Sequence, residues 1–262
     1  MPAPEGYIEV AANPGWYLKE GADAGQESSW IEAPPPGFEY DPNNTGWALR
    51  VGGDPQNQAD WWHDSRVVDW WTTTEVAAAA QAPAPNVEAN WPKILSAMGV
   101  WGIAQPLVGV GIVGTIAQES GSFLPVEEAW WLSPAARNRY YNDTTQHAAY
   151  GGGGAYHGRG FIQLTHVGNY RDAQDAINAR AGLGLDLVGN PDLALDADVA
   201  AHILCWFFDA KGIVPFCESQ AWSETRRRIW GAYDLDGTHG LGKLQYAAQV
   251  LIPIAQQRGF LA

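Results

Sequence analysis

The strongest constraint in this 262-residue sequence is a tandem repeat, offset by 31 residues, in its first third. Pro4, Gly6 and Tyr7 recur as Pro35, Gly37 and Phe38, and Asn13, Gly15 and Trp16 recur as Asn44, Gly46 and Trp47. Leu18, Lys19, Gly21 and Asp23 return as Leu49, Arg50, Gly52 and Asp54, and Trp30 returns as Trp61. Glycines at fixed places mark turns, and the Trp/Leu alternation marks short strands. Neither copy can bury a core alone, so the two are expected to pack through their tryptophans as one small β-rich module. Successive strand side chains point to opposite faces, so the doublets Trp61-Trp62 and Trp70-Trp71 are those expected to expose a ring. Exposed rings of this kind stack on sugars or dock to a partner.

Where the repeat stops, the character of the chain changes. Residues 1–85 carry 13 acidic and 3 basic side chains, and the remainder carries 16 and 12. An Ala/Pro-rich stretch over 77–89 reads as a linker between a repeat module over 1–76 and a second domain over 90–262. That second domain reads as mainly α. Asp196 caps a predicted helix with Val199, Ile203, Trp206, Phe207 and Ala210 at helical spacing and Gly212 as its stop. A helix from about Asn169 puts Tyr170, Ala173 and Ile177 on one face and ends at Gly182. Leu241, Leu244, Ala248, Leu251 and Ala255 form another stripe, interrupted at Pro253. Helices joined by Gly-rich connections favour a helical domain over an α/β sheet. The uncharged run over 97–117 is broken by Pro106 and reads as a buried loop and core helix rather than a membrane span.

Charge removes further classes. At a net −14 the chain has no basic surplus to displace phosphate counterions, which argues against nucleic acid and against anionic membranes. Two cysteines, Cys205 and Cys217, make no disulfide framework and read as buried thiols. The first residues contain neither a basic n-region nor an apolar h-region, so no signal peptide is expected.

Most chemical motifs fail on inspection. Gly151 to Gly154 lack the lysine of a phosphate loop, and Asp234-Leu235-Asp236-Gly237 lacks the end ligands of a calcium loop. His147, His157 and His166 lack metal-ligand spacing, so neither metal nor cofactor is expected. A carboxylate pair remains. Glu119 closes the apolar run Ile112 to Ala117, where desolvation favours the acid form that a proton donor needs. Glu128 follows nine residues on, which on a continuous helix would turn it roughly 180° away. Pro125 forbids that helix, so the chain must turn and Glu128 can face Glu119 across a cleft. Two glutamates alone would read as surface charge. A dense string over 156–170, with Gly158 and Gly160 for close backbone approach and Gln163, Thr165 and Asn169 as hydrogen-bonding groups, gives the pair a setting.

That string, Tyr156-His157-Gly158-Arg159-Gly160-Phe161-Ile162-Gln163-Leu164-Thr165 and on to Asn169-Tyr170, resembles the Y-x-G-R-G-x-I-Q-L-T-x3-N-Y signature of family 19 glycoside hydrolases. These are the plant-type chitinases and related phage endolysins of the lysozyme-like superfamily. Gln118-Glu119-Ser120-Gly121-Ser122-Phe123 is similar to the phage branch's H-E-S-x-x-F, with Gln118 in place of His. Glu128-Ala129-Trp130-Trp131-Leu132-Ser133 is similar to its E-A-[FW]-W-L-S, and Asn190-Pro191-Asp192-Leu193-Ala194 also resembles it. The resemblance covers roughly 90–258 and leaves the repeats outside.

The resemblance implies a lysozyme-like, chitinase-like helical hydrolase. It makes Glu119 the general acid and Glu128 the base that activates water, with Glu127 as the rival base. It makes Thr165 the holder of that water, and Tyr156, Gln163, Asn169 and Trp131 substrate contacts. Arg159 reads as structural, pairing carboxylates or carbonyls. One departure is plain: where the family often has Asn-Gly-Gly, this chain reads Arg228-Ile229-Trp230-Gly231-Ala232-Tyr233. The activity implied is inverting hydrolysis of β-1,4 bonds in peptidoglycan glycan strands, with chitin as the second substrate. The setting implied is a phage lysin, held in the host cytoplasm before release to the cell wall or carried on the virion through its N-terminal module. The rival from another class is a non-catalytic virion or attachment protein that keeps the fold.

Overall fold

The computed structural model describes residues 70–129, 132, 133, 136, 155–234 and 238–261, and, within the first 69 residues, the backbone of six strands. The chain divides into two compact units, Met1–Asp69 and Trp70–Ala262.

In the first unit β1 (Tyr7–Glu9), β2 (Trp16–Lys19) and β3 (Trp30–Glu32) form one antiparallel sheet. β4 (Phe38–Tyr40), β5 (Trp47–Arg50) and β6 (Trp61–His63) form a second. Equivalent positions pair in equivalent register: Tyr7 with Lys19 and Phe38 with Arg50, Leu18 with Trp30 and Leu49 with Trp61. The packing of these tryptophans, and the exposure of Trp61 and Trp62, lie outside the described residues.

The second unit is helical. It runs α1 (Thr73–Ala80), α2 (Ala84–Trp101), α3 (Pro106–Glu119), α4 (Val167–Ala181), α5 (Ala197–Ala210), α6 (Val214–Glu218), α7 (Trp222–Trp230) and α8 (Leu241–Gln257). A two-stranded ladder, β7 (Val126–Glu127) with β8 (Arg159–Gly160), is inserted between α3 and α4. α3 is the central element, with Val108 to Ala117 buried, and it packs against α8, α1 and α6. Gly114 permits that approach, since a Cβ there would lie 2.7 Å from Leu244 Cα. Among the described residues no helix is long and apolar enough to cross a membrane. Asp196 caps α5 by accepting from the N–H groups of Asp198 and Val199, and Gly182 ends α4 at φ 67°. Cys205 and Cys217 are buried free thiols, and burial pushes the Cys217 thiol up to about 12.

Three expectations are corrected. The stretch over 77–89 is no linker: it contains the end of α1 and the first turns of α2, with Ala77, Ala79, Ala80 and Val87 buried. The physical reasons are local and tertiary. Alanine is the best helix former, and Thr72 and Glu75 make a reciprocal capping box that starts α1. α1 then packs on α8, α2 and α3. Trp70 and Trp71 are likewise not exposed but are 4% and 3% accessible, against Gly109 of α3, with Trp71 Nε1 donating to Leu251 O at 2.8 Å. Finally, α8 runs unbroken through Pro253, because Leu251 and Ala255 on either side are both buried and hold the two halves in place.

Candidate active site

Glu119 is the last residue of α3. The turn that follows begins there rather than at Pro125, through Phe123 at φ 59°. α2 clamps it: Asn86 Nδ2 donates to Ser122 O at 2.8 Å and Asn90 Nδ2 to Phe123 O at 2.9 Å. The Glu119 carboxylate accepts from Arg226 Nη1 of α7 at 2.7 Å, and the Arg226 side chain is 4% accessible. Among the described residues Arg226 Nε has no hydrogen-bond partner, and this carboxylate is the guanidinium's described anchor.

Glu128 follows β7 directly and is held from its own neighbourhood. Its N–H donates to Gly158 O at 2.7 Å, and its Oε2 accepts from Gly158 N–H at 2.9 Å. Glycine at 158 permits this approach, since a Cβ would lie 2.8 Å from Gln163 Oε1 and 3.3 Å from Glu128 Cβ and would force Gln163 to shift. Glu127, one residue earlier, turns instead to His157, whose Nε2 lies 2.9 Å from its Oε1.

The dense string folds as a scaffold beneath this pair. Arg159 is buried and grips Asp192 through Nε and Nη2, both at 2.9 Å. Its Nη1 donates to Ala155 O, His157 O and the Tyr170 hydroxyl. Burial pushes the Tyr170 phenol up to about 12 against the opposing pull of Arg159, so it stays protonated and donates to His157 O at 2.9 Å. Gln163, at φ 53°, spends its Nε2 on Val126 O and Gly160 O, which ties it to β7 and β8. Thr165 Oγ1 donates to Gln163 O at 3.2 Å, and Asn169 Nδ2 donates to Thr165 O at 2.8 Å.

These side chains meet in a cavity of about 590 Å³ lined by Glu119, Glu128, Gln163, Thr165 and Asn169. The size and the mixture of groups suit a sugar ring with its polar substituents. Five of the seven residues singled out in the sequence are therefore brought together. Tyr156 is not among them: its hydroxyl donates to Val188 O at 2.9 Å and its ring packs edge-on against Tyr170, so it is part of the scaffold. Trp131 lies outside the described residues. Glu127 does not line the cavity. Among the described residues no group of three or more His, Cys, Asp or Glu is arranged to hold a metal ion.

The residues of the opposite wall were given no role in the site from the sequence. That wall comprises Phe207 and Lys211 at the end of α5, and Arg228, Ile229, Trp230 and Gly231 at the end of α7. Arg226 was missed as well. The sequence signals for this wall were the stretch Arg228 to Tyr233, which stands where the family often has Asn-Gly-Gly, and the run Arg226-Arg227-Arg228 on a short helix in an acidic chain.

Residues 128–221, which hold Glu128 and the whole scaffold string, match the family 19 glycoside hydrolase model, chitinase class I. Over this stretch the chain is similar to glycoside hydrolase family 19. Over 64 residues the chain is 50% identical to Chitinase 8 of Oryza sativa subsp. japonica, covering 24% of this chain and 22% of that protein. Over 67 residues it is 46% identical to the Acidic 27 kDa endochitinase of Solanum lycopersicum, covering 25% of each. The matches thus span about a quarter of the length of these curated relatives. In fold, the chain is similar to the crystal structure of chitinase C from Streptomyces griseus HUT6037, with a TM-score of 0.51 at 21% identity over 86% of this chain and 92% of that one.

Proposed function

We propose that this family 19 protein hydrolyses β-1,4 glycosidic bonds by inversion and that its substrate is the glycan strand of peptidoglycan. The observation that carries the reading is that Glu119 and Glu128, supported by unrelated contacts, line one cavity with Thr165 and Asn169. In this reading Glu119 gives its proton to the departing glycosidic oxygen. Arg226 then stabilises the carboxylate that is left, since a guanidinium hydrogen bond to an ionised partner is a strong one. Glu128 takes a proton from a water that Thr165 helps to hold. The oxygen of that water forms the new bond to the anomeric carbon on the face opposite the leaving group, and the product is the α anomer. Gly158 N–H keeps Glu128 in place for that task.

Peptidoglycan is favoured by the charge of the opposite wall. Lys211 and Arg228 line the cavity with exposed side chains in a chain of net −14. Two cationic residues at that wall, Lys211 over the Phe207 ring and Arg228 over the Phe216 ring, suit a sugar that carries a carboxylate, such as the lactyl group of muramic acid, better than neutral chitin. Chitin is the second reading, and the identity to plant proteins named as chitinases supports it. With peptidoglycan as substrate the protein reads as a phage lysin, free in the host before release to the wall or virion-borne, with residues 1–69 as its docking module. The test is mass spectrometry of fragments released from purified peptidoglycan and from chitin, with Glu119→Gln as the blank. Release of muramic-acid-terminated or glucosamine-terminated fragments from peptidoglycan supports the reading. Release from chitin alone moves the substrate to chitin, and release from neither makes the chain a binding protein that keeps the fold.

A further inference from the structure

Trp230 is the last residue of α7, lines the cavity and is 43% exposed. An indole left in water at a helix end is ordinarily free to swing, but this one is held. It stacks on the His239 imidazole with ring centroids 3.6 Å apart and planes 19° from parallel. The backbone that carries His239 is held: the His239 main-chain N–H donates to Oδ1 of the buried Asp234 at 3.1 Å, and Asp234 Oδ2 accepts from Leu241 N–H at 2.8 Å, at the start of α8. Gly240, at φ 99°, lies against Gln118 so closely that a Cβ would sit 2.5 Å from Gln118 Cγ. The support of the indole is thereby packed onto the residue next to Glu119. One face of Trp230 is stacked on His239, and the residue lines the same cavity as Glu119 and Glu128.

A flat, rigid aromatic face next to hydrogen-bonding groups fits the apolar C–H face of a pyranose ring, because stacking buries that face without desolvating the equatorial hydroxyls. Rigidity matters, since an indole already fixed by His239 loses little rotamer freedom when the sugar arrives. We propose that Trp230 is a specificity-determining stacking platform for a sugar ring removed from the scissile bond, so that longer glycans are bound in preference to short ones. The proposal rests on the glycoside hydrolase reading above. Tyr233 is a built-in contrast: it is 51% exposed and close in sequence, but it does not line the cavity, its ring lies under Arg227 and its hydroxyl is engaged by Glu224.

The test compares wild type, Trp230→Ala, Trp230→Phe and Tyr233→Ala on the trimer and hexamer of β-1,4-linked N-acetylglucosamine and on short and long glycan strands from peptidoglycan. For Trp230→Ala, KM on the longer substrates is expected to rise about tenfold, which corresponds to about 1.4 kcal/mol, with kcat within about twofold. The shorter substrates change little, Trp230→Phe restores most of the loss, and Tyr233→Ala matches wild type. Wild-type KM values for Trp230→Ala on every active substrate, or a rise equal on short and long ones, overturn the platform and leave the hydrolase standing. Should the alanine variant not fold, Trp230→Leu keeps cover over His239 without a flat face and must show the same length-dependent loss. Wild-type behaviour in that variant overturns the proposal. A wild-type protein that neither cleaves nor binds any of the four substrates removes the hydrolase reading, and the platform falls with it.

Discussion

The two carboxylates that share the cavity are held in opposite ways. Glu119 depends on a side chain 107 positions away, Arg226, and on a turn clamped by Asn86 and Asn90 from another helix. Glu128 depends on a backbone N–H, and its setting is made by a ladder of two residues a side. The Glu119 wall therefore rests on the helical packing behind it, while the described contacts of the Glu128 wall rest on Gly158 and Gln163. The difference teaches where damage travels. Changes far away in sequence should reach Glu119 first, and changes within the string 156–170 should reach Glu128 first.

Truncation makes the largest test of that division. A chain beginning at Pro85 lacks Trp70, Trp71 and α1, all of which pack behind α3. Deleting one buried tryptophan side chain typically costs about 3–5 kcal/mol, and a whole domain is stable by only about 5–15 kcal/mol. This truncation is expected to lose cooperative unfolding and turnover together, whereas a chain beginning at Trp70 retains both on soluble glycans. Loss of activity of the Trp70 chain on intact cells, or of its assembly into particles, would identify residues 1–69 as the docking module. Thermal unfolding of both truncations checks the first point. A cooperative, active Pro85 chain would mean that the Glu119 wall does not need what lies behind it.

Among point substitutions the carboxylates come next. Glu119→Gln removes the proton donor and is expected to lower turnover by about 10²–10⁴-fold. It also takes the counter-charge from the buried Arg226 guanidinium, so its melting temperature is expected to fall as well. Glu128→Gln is expected to be almost as damaging. Glu127→Gln, which keeps a hydrogen-bonding group for His157, is expected to stay within about threefold of wild type. Steady-state rates on solubilised peptidoglycan order the three, and a Glu127 variant worse than the Glu128 one would reassign the base.

The supports of the two walls should then fail differently. Arg226→Met leaves the part-buried Glu119 without its counter-charge, and removing one partner of a buried pair typically costs about 3–5 kcal/mol. Gly158→Ala pushes a methyl into Gln163 Oε1, an overpacking that typically costs about 1–3 kcal/mol. The arginine variant is expected to lower the denaturation midpoint more, and the glycine variant to lower kcat more than its stability loss accounts for. Equal midpoints would show that Arg226 does not bear on the helical packing.

The same contrast explains what could be read in advance. The Glu128 wall was legible because its partners lie within one string: Gly158, Gln163, Thr165 and Asn169 are close in sequence and specific in type. The helical stripes at Val199–Phe207 and Tyr170–Ile177 were legible because packing follows a fixed period. The Glu119 wall was legible only in its carboxylate. Arg226 sits in a run of three arginines, and which of them turns inward is decided by the packing of α7, which no local pattern states. The Ala/Pro stretch misled for a related reason. Composition suggested a linker, yet the Thr72–Glu75 capping box immediately before Val76 is a helix signal, and Pro83 and Pro85 sit at the N-cap and first turn of α2, where proline is tolerated. Pro253 misled in the same direction, a local breaker overruled by tertiary contacts. The place of Tyr156 in the motif points to a substrate contact, but its hydroxyl is spent on Val188 O, a partner 32 positions away that the motif does not contain.

The smallest expected effect lies in the outermost brace of the Glu119 wall. Glu75 accepts from Thr72 N–H at 2.8 Å and is gripped by Arg258 at 2.9 and 3.0 Å, and Arg258 Nη1 also donates to Trp70 O. Burial acts to raise the Glu75 carboxyl, but the Thr72 and Arg258 hydrogen bonds together outweigh it and hold the group below its ordinary value of 4.5. A carboxyl depressed in the folded state stabilises it above the unfolded-state value, and that contribution fades as pH falls through the lower folded-state value. The pair is near the surface, so its worth is about 0.5–1 kcal/mol. Glu75→Gln is therefore expected to lower the melting temperature by about 1–4 °C at pH 7. The gap between variant and wild type should close as pH drops below 4.5, while turnover at 25 °C is unchanged. Calorimetry of both proteins across pH 3 to 7 measures the gap directly, and the difference between them cancels the other acid-titrating groups. A gap that persists undiminished at pH 3 would mean that the glutamine side chain disturbs the capping box itself, and that the ion pair to Arg258 contributes nothing to the wall.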